Sequence, residues 1–196
     1  MANIQAAFGF QHVGDVGGAS ANFPRQKRYI ASNNATAIYR GDPVTSLSTG
    51  YIAQSTAGTT QIAGIFDGCE YFSTTQQKKV FSPFWPGSDA TGDVTAFIIN
   101  MPGSLFLVAS NGSPITLTNV DNNANFAIGT GNTRNGISGA TLDQSSINTT
   151  TTLPFRIVQL YSDRGVGSSN GTDNTTNYNW CYVTFNNQDY KSLTGI

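Results

Sequence analysis

Charged residues are scarce in this chain. Asp, Glu, Lys and Arg make up 11% of its 196 residues, whereas ordinary soluble domains contain roughly 25%. Glutamate occurs once, as Glu70, and lysine four times, so the residues that usually cover the exposed side of a helix are almost missing. The net charge of −1 gives no overall attraction to nucleic acid or to an anionic membrane. We therefore expect neither as a partner.

The residue types that carry most enzyme and metal chemistry are also scarce. There is one histidine, His12, and there are two cysteines, Cys69 and Cys181, outside any CxxC pattern. These cannot form a clustered zinc site, and no two aspartates stand out as the carboxylate pair of a glycosidase. The sequence predicts no catalytic residue, no metal and no cofactor, and the chain is not expected to be an enzyme. Both cysteines alternate with apolar residues, which predicts buried thiols.

Long apolar runs are absent as well. No stretch approaches the roughly 20 apolar residues that cross a bilayer as a helix. The first residues contain neither the basic start nor the apolar core of a secretory signal. From these features we expect synthesis in a cytoplasm, without export by the usual route.

The chain is rich in residue types that favour turns and strands: it contains 24 Thr, 19 Asn, 18 Ser and 21 Gly. Threonine suits pleated strands, and the other three suit turns. Short apolar runs alternate with turn signals, and no convincing helix pattern occurs. This pattern predicts an all-β fold, an antiparallel β-sandwich or barrel of jelly-roll-like type. The predicted strands are 35–39, 51–54, 62–72, 79–84, 94–100, 105–110, 115–117, 126–128, 153–161 and 180–185.

Several predicted strands are apolar on both faces. In FRIVQLY (155–161), TAFIIN (95–100) and SLFLVAS (104–110), neighbouring apolar residues point in opposite directions. An antiparallel sheet normally keeps one polar face, so such strands need cover on both sides. The cover could come from the other sheet and long loops, or from another protein chain. The second alternative predicts an obligate assembly.

Residues 1–28 are predicted to be an extended N-terminal arm, and residues 29–196 a single β domain. The arm is rich in glycine, and His12 within it is expected to be solvated or at an interface. It also contains apolar anchors beside a basic cluster, a composition that suits a strap ordered on a partner. A lead-in packed on its own domain is the alternative. The candidate partner contacts in the arm are Phe8, Phe10, Phe23, Arg25, Lys27 and Arg28.

The stretch GIFDGCEYFSTTQQKKVFSPFWPGS (64–88) predicts two strands joined by a polar turn, followed by an aromatic Pro-Gly corner. Glu70 falls in mid-strand, where an ion pair or an interface contact would satisfy it. Lys78 and Lys79 are expected at the exposed turn of the hairpin. Trp85 is either part of a rigid corner or an anchor in a neighbour's pocket, since tryptophan is enriched in interface hot spots.

This stretch resembles a pattern found in capsid decoration, or cement, proteins of tailed bacteriophages. Later segments are similar to that family in the same order: GDVTAFIINMPGSLFLV, GNTRNGISGATLDQSS, TTTTLPFRIVQL and the ending VTFNNQDYKSLTGI. Upstream, IYRGDPV and TGYIAQSTAGTTQIAGIF are similar to its small β-barrel segment. The resemblance covers roughly residues 35–196. The N-terminal arm and the loop NGTDNTTNYN have no counterpart in the pattern.

The resemblance implies a structural virion protein on the outside of an icosahedral head, made in the host cytoplasm. Its implied partners are the major capsid protein, whose neighbouring subunits it would bridge, and further copies of itself in a homotrimer. Two alternatives stay open. One is another virion part, such as a head fibre base or a tail protein, and the other is a carbohydrate-binding adhesin.

Overall fold

The structure, a computed structural model, describes residues 3–18, 25–161 and 173–192. In these ranges the regular structure is fourteen β-strands and one short 3-10 helix, Leu117–Asn119, and no helix there is long and apolar enough to cross a membrane. The strands in chain order are β1 (Gln11–Asp15), β2 (Arg25–Ile30), β3 (Ile38–Tyr39), β4 (Pro43–Ser46), β5 (Ile52–Gln54), β6 (Gly64–Ser73), β7 (Lys78–Ser82), β8 (Phe84–Trp85), β9 (Val94–Ile99), β10 (Ser104–Ala109), β11 (Asn123–Ala127), β12 (Thr141–Asn148), β13 (Phe155–Leu160) and β14 (Trp180–Phe185).

Two antiparallel sheets of six strands each pack as a sandwich, which confirms the predicted all-β sandwich. Sheet A has the order β1-β10-β14-β13-β11-β12. Sheet B has the order β2-β9-β6-β4-β5, with β7 paired to the outer part of β6. A two-stranded ribbon, β3-β8, completes the fold. The strands at the two ends of the sheet B path, β2 and β5, contact each other, so this sheet curls on itself.

Two hydrophobic cores account for the central strands of sheet B that are apolar on both faces. In β6, Ile65 belongs to the core shared with sheet A, and the next residue, Phe66, belongs to a second core that includes Trp85 of the ribbon. In β9, Ile98 and Ile99 divide between the two cores in the same way. Alternate side chains leave opposite faces of a strand, so both faces of these strands are covered within the chain at the end that carries Ile65 and Ile99.

A bulge explains the apolar residues on both apparent faces of β13. The register with β14 shifts between Ile157 and Gln159, so an extra residue lies in the strand there. After this shift Leu160 points to the same core as Phe155 and Ile157. The apolar pattern of β13 is therefore explained within the chain, and cover of the other strands by a second chain stays a prediction. The strand β13 has one core face, and its periodicity is broken by a single residue.

The described part of residues 1–28 packs on the chain's own sheets. Strand β1 pairs with β10 at one end of sheet A, and β2 pairs with β9 in sheet B. Phe10 is 2% exposed and stacks on Phe155 with ring centroids 4.3 Å apart. For these residues the partner-ordered strap is corrected in favour of a lead-in on its own domain. The physical reason is that pairing with β10 and burial of Phe10 offset the entropy cost of ordering the segment.

Candidate functional site

Two of the predicted contact residues are core residues. Trp85 is 0% exposed, donates a hydrogen bond from Nε1 to the backbone oxygen of Asn34 at 3.1 Å, and meets the edge of Tyr71 at 5.1 Å. Phe10 lies in the core between the sheets. A side chain packed on all sides cannot also fill a neighbour's pocket, so the assignment of Trp85 and Phe10 as partner contacts is corrected.

Of the two remaining aromatic residues predicted as partner contacts, Phe8 lies in the described part of the chain and Phe23 does not. Phe8 is half-buried and contacts Trp180 edge-on, with centroids 5.1 Å apart. Phe23 lies outside the described residues, and its predicted role stays a prediction.

Strand alternation divides the basic cluster of β2 between two faces. Arg25 and Lys27 are exposed on the face that carries Ile99 and Phe97 of the neighbouring strand. Arg28 lies on the opposite face and donates a hydrogen bond to Ser46 Oγ at 2.9 Å. Of the three basic residues, only Arg25 and Lys27 are therefore available to a partner on the same surface.

These two residues belong to an exposed surface built across four strands of sheet B. Directly paired residues of neighbouring antiparallel strands point to the same side. The registers of three strand pairs define two rows, Lys27–Phe97–Gly68 and Tyr29–Thr95–Glu70–Phe81. A third pair, Phe72 and Lys79, lies beside them. We call this surface the aromatic-basic face. Its side chains are Arg25, Lys27, Tyr29, Glu70, Phe72, Lys79, Phe81, Thr95 and Phe97.

Large aromatic side chains on this face are unusually exposed. Phe81 is 71% exposed, Tyr29 53% and Phe72 49%. A single exposed apolar residue is normal, whereas several on one sheet face favour an interaction surface. Ile65 and Ile99 lie on the same side of sheet B, beyond one end of the aromatic-basic face, and sheet A covers them there. Sheet A thus covers one end of this sheet surface and leaves the other end, with its aromatic rings, in solvent.

The charges on the aromatic-basic face are mainly positive. Lys79 is 3.3 Å from Glu70 and 5.5 Å from the centroid of the Phe81 ring. At the border of the face, the buried carboxylate of Asp67 forms ion pairs with Arg25 at 2.5 Å and with Arg40 at 2.8 Å. One carboxylate between two guanidinium groups leaves a positive charge in excess. A chain with a net charge of −1 therefore presents a locally basic surface, which attracts acidic partners.

A groove of about 250 Å³ crosses this face. Gly68 lines it at a bulge of β6, where its φ of +132° disfavours any residue with a side chain. A Cβ added there would lie 3.0 Å from the backbone oxygen of Ser82. Phe81, Phe97 and Arg25 also line the groove. The glycine thus keeps open a depression that has aromatic and basic sides.

The turn that connects β6 to β7 is held by Asp89. Its carboxylate accepts hydrogen bonds from Ser73 Oγ at 2.7 Å, from Thr74 Oγ1 at 2.9 Å, and from the backbone nitrogen and hydroxyl of Thr75 at 2.9 and 2.8 Å. Desolvation alone would raise the pKa of Asp89, but the hydrogen bonds from Ser73, Thr75 and Thr74 outweigh it and lower the pKa to about 2. The hairpin that carries Lys79 and Phe81 is therefore preorganised.

The chemically reactive residue types lie away from the aromatic-basic face or are buried. Cys69 and Cys181 are free and buried, as predicted, and burial raises the pKa of both thiols to about 12. His12 is half-buried on β1 beside the ring of Phe106, rather than on a flexible arm, and desolvation lowers its pKa. Within residues 3–18, 25–161 and 173–192, no three His, Cys, Asp or Glu side chains are grouped closely enough to hold a metal.

The sequence predicts part of this surface but not its aromatic component. The ion pair of Glu70 was one of two expected arrangements, and Lys78 and Lys79 are exposed at the start of β7, directly after the turn. Phe72, Phe81 and Phe97 lie in predicted strands, where an apolar residue suggests burial, and Tyr29 lies outside every predicted strand. The available signal was their position beside Glu70 and the lysines on one strand face.

Comparison with known proteins gives no relative. No protein-family model matches the chain, and no curated protein or solved structure shows significant similarity to it.

Proposed function

We propose that this chain is a structural virion protein that decorates the outer surface of a bacteriophage head, binds the major capsid protein and bridges its subunits. The proposal starts from the resemblance of residues 35–196 to capsid decoration proteins. The observation that carries it is the aromatic-basic face, one sheet surface on which Phe81, Tyr29 and Phe72 are exposed among basic side chains. A surface of this kind is suited to binding a protein, because aromatic residues and arginine contribute most of the energy of protein interfaces.

Self-association is part of the proposal and involves a different surface. The outer face of sheet A bears half-buried apolar side chains that contact one another: Phe8 against Trp180, and Tyr161 against both Trp180 and Tyr182. The strand β10 places Leu107 directly opposite Tyr182. We name this surface the outer aromatic patch. It is a candidate contact between copies in a homotrimer.

The experiment that tests the function is co-sedimentation with undecorated heads. Purified protein is mixed with heads that lack it, the heads are pelleted, and bound protein is measured against concentration. The wild-type protein should saturate a fixed number of sites. Phe81→Ser should lower the affinity about thirtyfold or more, because hot-spot side chains contribute about 2 kcal/mol or more.

The matched control is Leu117→Ser, which removes another highly exposed apolar side chain, 78% exposed, from the 3-10 helix. This variant should sediment with heads like the wild type. Absence of wild-type binding to heads would overturn the decoration function. Equal binding by the wild type and Phe81→Ser would overturn the use of the aromatic-basic face.

A further inference from the structure

Strand β7 is an open edge of sheet B. In the described part of the chain it pairs with β6 alone, and three of its five residues are exposed, namely Lys78, Lys79 and Phe81. An edge strand has a row of unpaired backbone N–H and C=O groups that can pair with a strand of another chain. The backbone of β7 therefore offers hydrogen bonds in addition to the side chains of the aromatic-basic face.

The other end strands of the two sheets are protected in ways that β7 is not. Strands β1 and β12 have register shifts against their neighbours, and irregularities of this kind hinder the addition of a further strand. Strands β2 and β5 contact each other. The register of β7 with β6 is regular from Lys78 to Ser82, and the strand contains no proline. This edge has the geometry of a docking strand.

The side chains of β7 indicate the chemistry of the incoming strand. Lys79 and Phe81 are two positions apart and so point to the same face. A strand added beside β7 would place one residue opposite each of them, where opposite charges and apolar pairs are favourable. The residue opposite Lys79 would be acidic, and the residue opposite Phe81 apolar. The ammonium group of Lys79 has three donors, so it can bind a second carboxylate while it keeps Glu70.

The conformation of the edge is fixed before binding. Asp89 holds the turn before β7 through Ser73, Thr74 and Thr75. Pro83 follows the strand directly, in a lining position of the groove beside Gly68. A preorganised edge loses little conformational freedom on binding, and this strengthens association.

We propose that β7 accepts an additional β-strand from an extended acidic segment of its partner, in which one acidic and one apolar residue two positions apart meet Lys79 and Phe81. The identification of that partner as the capsid protein rests on the function proposed above. The pairing itself depends only on the edge strand and its side chains, so it can be tested without capsids.

The first test uses a synthetic peptide and the full-length protein. The probe is Thr-Asp-Thr-Leu-Thr-Asp-Thr, which presents the same pattern in either strand direction, and its control is Thr-Lys-Thr-Leu-Thr-Lys-Thr. Nuclear magnetic resonance titration should show shifts of backbone amides in residues 78–82 with the acidic peptide and no shifts there with the basic one. Absence of shifts in residues 78–82, or equal shifts with both peptides, would overturn the inference.

A charge exchange at one position provides an internal control. Lys79→Glu should lose the response to the acidic peptide and gain one to the basic peptide, because the charge opposite the added strand is reversed. Arg134→Glu makes the same change in an exposed loop, and its response should equal that of the wild type. If Lys79→Glu still preferred the acidic peptide, Lys79 would not contact the added strand, and the inference would be overturned.

A second test separates the inference from the proposed function. Hydrogen exchange of the protein bound to undecorated heads should slow by tenfold or more in residues 78–82, because an added strand protects edge amides, whereas residues 52–54 of β5 should be unchanged. Head binding without protection of β7 would overturn strand addition and leave decoration standing. A specific response to the acidic peptide without head binding would overturn decoration and leave strand addition standing.

Discussion

At the scale of single residues, Asp89 determines the order of the hairpin that carries the aromatic-basic face. Its carboxylate replaces missing backbone partners in the turn by accepting bonds from Ser73, Thr74 and Thr75. The turn residue Gln77 has a φ of +53°, a conformation that side chains disfavour. The hydrogen bonds that Asp89 accepts help to hold the turn in place despite the unfavourable backbone conformation of Gln77.

The first prediction follows from the pKa of Asp89. Hydrogen bonds from Ser73, Thr75 and Thr74 outweigh desolvation and lower the pKa from 3.8 to about 2. The unfolded chain therefore binds the proton at higher pH than the folded chain, so the stabilisation by Asp89 is complete above 3.8 and is lost as the pH falls through about 2. Thermal unfolding of the wild type and Asp89→Ala should show melting temperatures that differ above pH 4 and converge towards pH 2. A constant difference across this range would contradict the assignment.

The second prediction concerns the buried thiols. Cys181 is 0% exposed in the core between the sheets, so Cys181→Ser would bury a hydroxyl among apolar side chains. We expect a loss of about 1–3 kcal/mol in the free energy of unfolding. Cys69→Ser is the matched control and should cost less, because Cys69 Sγ already lies 3.5 Å from the backbone oxygen of Phe84. Denaturant unfolding checks both values, and an equal loss in the two variants would contradict this reasoning.

At the scale of elements, β1 shows why a segment with a weak local pattern can still be a fixed strand. Its sequence, QHVGD, has no alternation of apolar residues, and its register with β10 shifts between His12 and Gly14. Its position is determined by the edge of β10 and by Phe10 just before it, whose ring stacks on Phe155. Nonlocal pairing thus compensates for a composition that locally favours a loop.

The third prediction tests this role of the N-terminal segment. Phe10→Ala should lower the free energy of unfolding by about 3–5 kcal/mol, because it leaves a cavity in the core. Phe8→Ala should cost less, because Phe8 is half-buried at the surface against Trp180. Denaturant unfolding of both variants provides the comparison. If Phe10→Ala kept wild-type stability and lost only its binding to heads, the segment would be a partner strap after all.

At the scale of the whole molecule, the two sheets carry different exposed surfaces. The outer aromatic patch on sheet A has an apolar centre, with Leu107 opposite Tyr182, and the aromatic-basic face on sheet B carries an excess of positive charge. Uncharged apolar surface suits contact between identical copies, whereas a basic surface requires a partner of complementary charge. This difference is the reason for assigning self-association and partner binding to separate surfaces.

The fourth prediction concerns the mass of the protein in solution. Light scattering should give a homotrimer, three times the chain mass of 20.8 kDa. Leu107→Asp should shift the mass towards a single chain, because it places a charge in the outer aromatic patch. Phe81→Ser is the control and should leave the mass unchanged. A monodisperse wild-type protein of 20.8 kDa at micromolar concentration would contradict self-association through this patch.

The sequence predicts most of the strands that have strong apolar patterns, although for most of them the predicted and observed ends differ by one or more residues. The segments around β6, β9, β10, β13 and β14 were located. Strand β12 falls outside the predicted strands, because TLDQSSIN has few apolar residues, and the predicted strand at 115–117 is absent, with the 3-10 helix beginning at Leu117. Strand β4 also falls outside the predicted strands, since it begins at Pro43 of the turn signal GDP. These errors arise where neighbouring strands, rather than local propensity, determine the backbone conformation.

The sequence by itself determined the all-β class, the burial of the cysteines and the exposure of Lys78 and Lys79, because these follow from composition and local alternation. Only the tertiary structure decided which apolar residues are covered. Trp85 and Phe81 are both large aromatics in short strands of one region, yet one is 0% exposed and the other 71%. The difference arises because the ribbon turns Trp85 into the core enclosed by sheet B, whereas sheet A ends before it reaches Phe81. Burial depends on what packs from elsewhere in the chain, and local sequence does not contain that information.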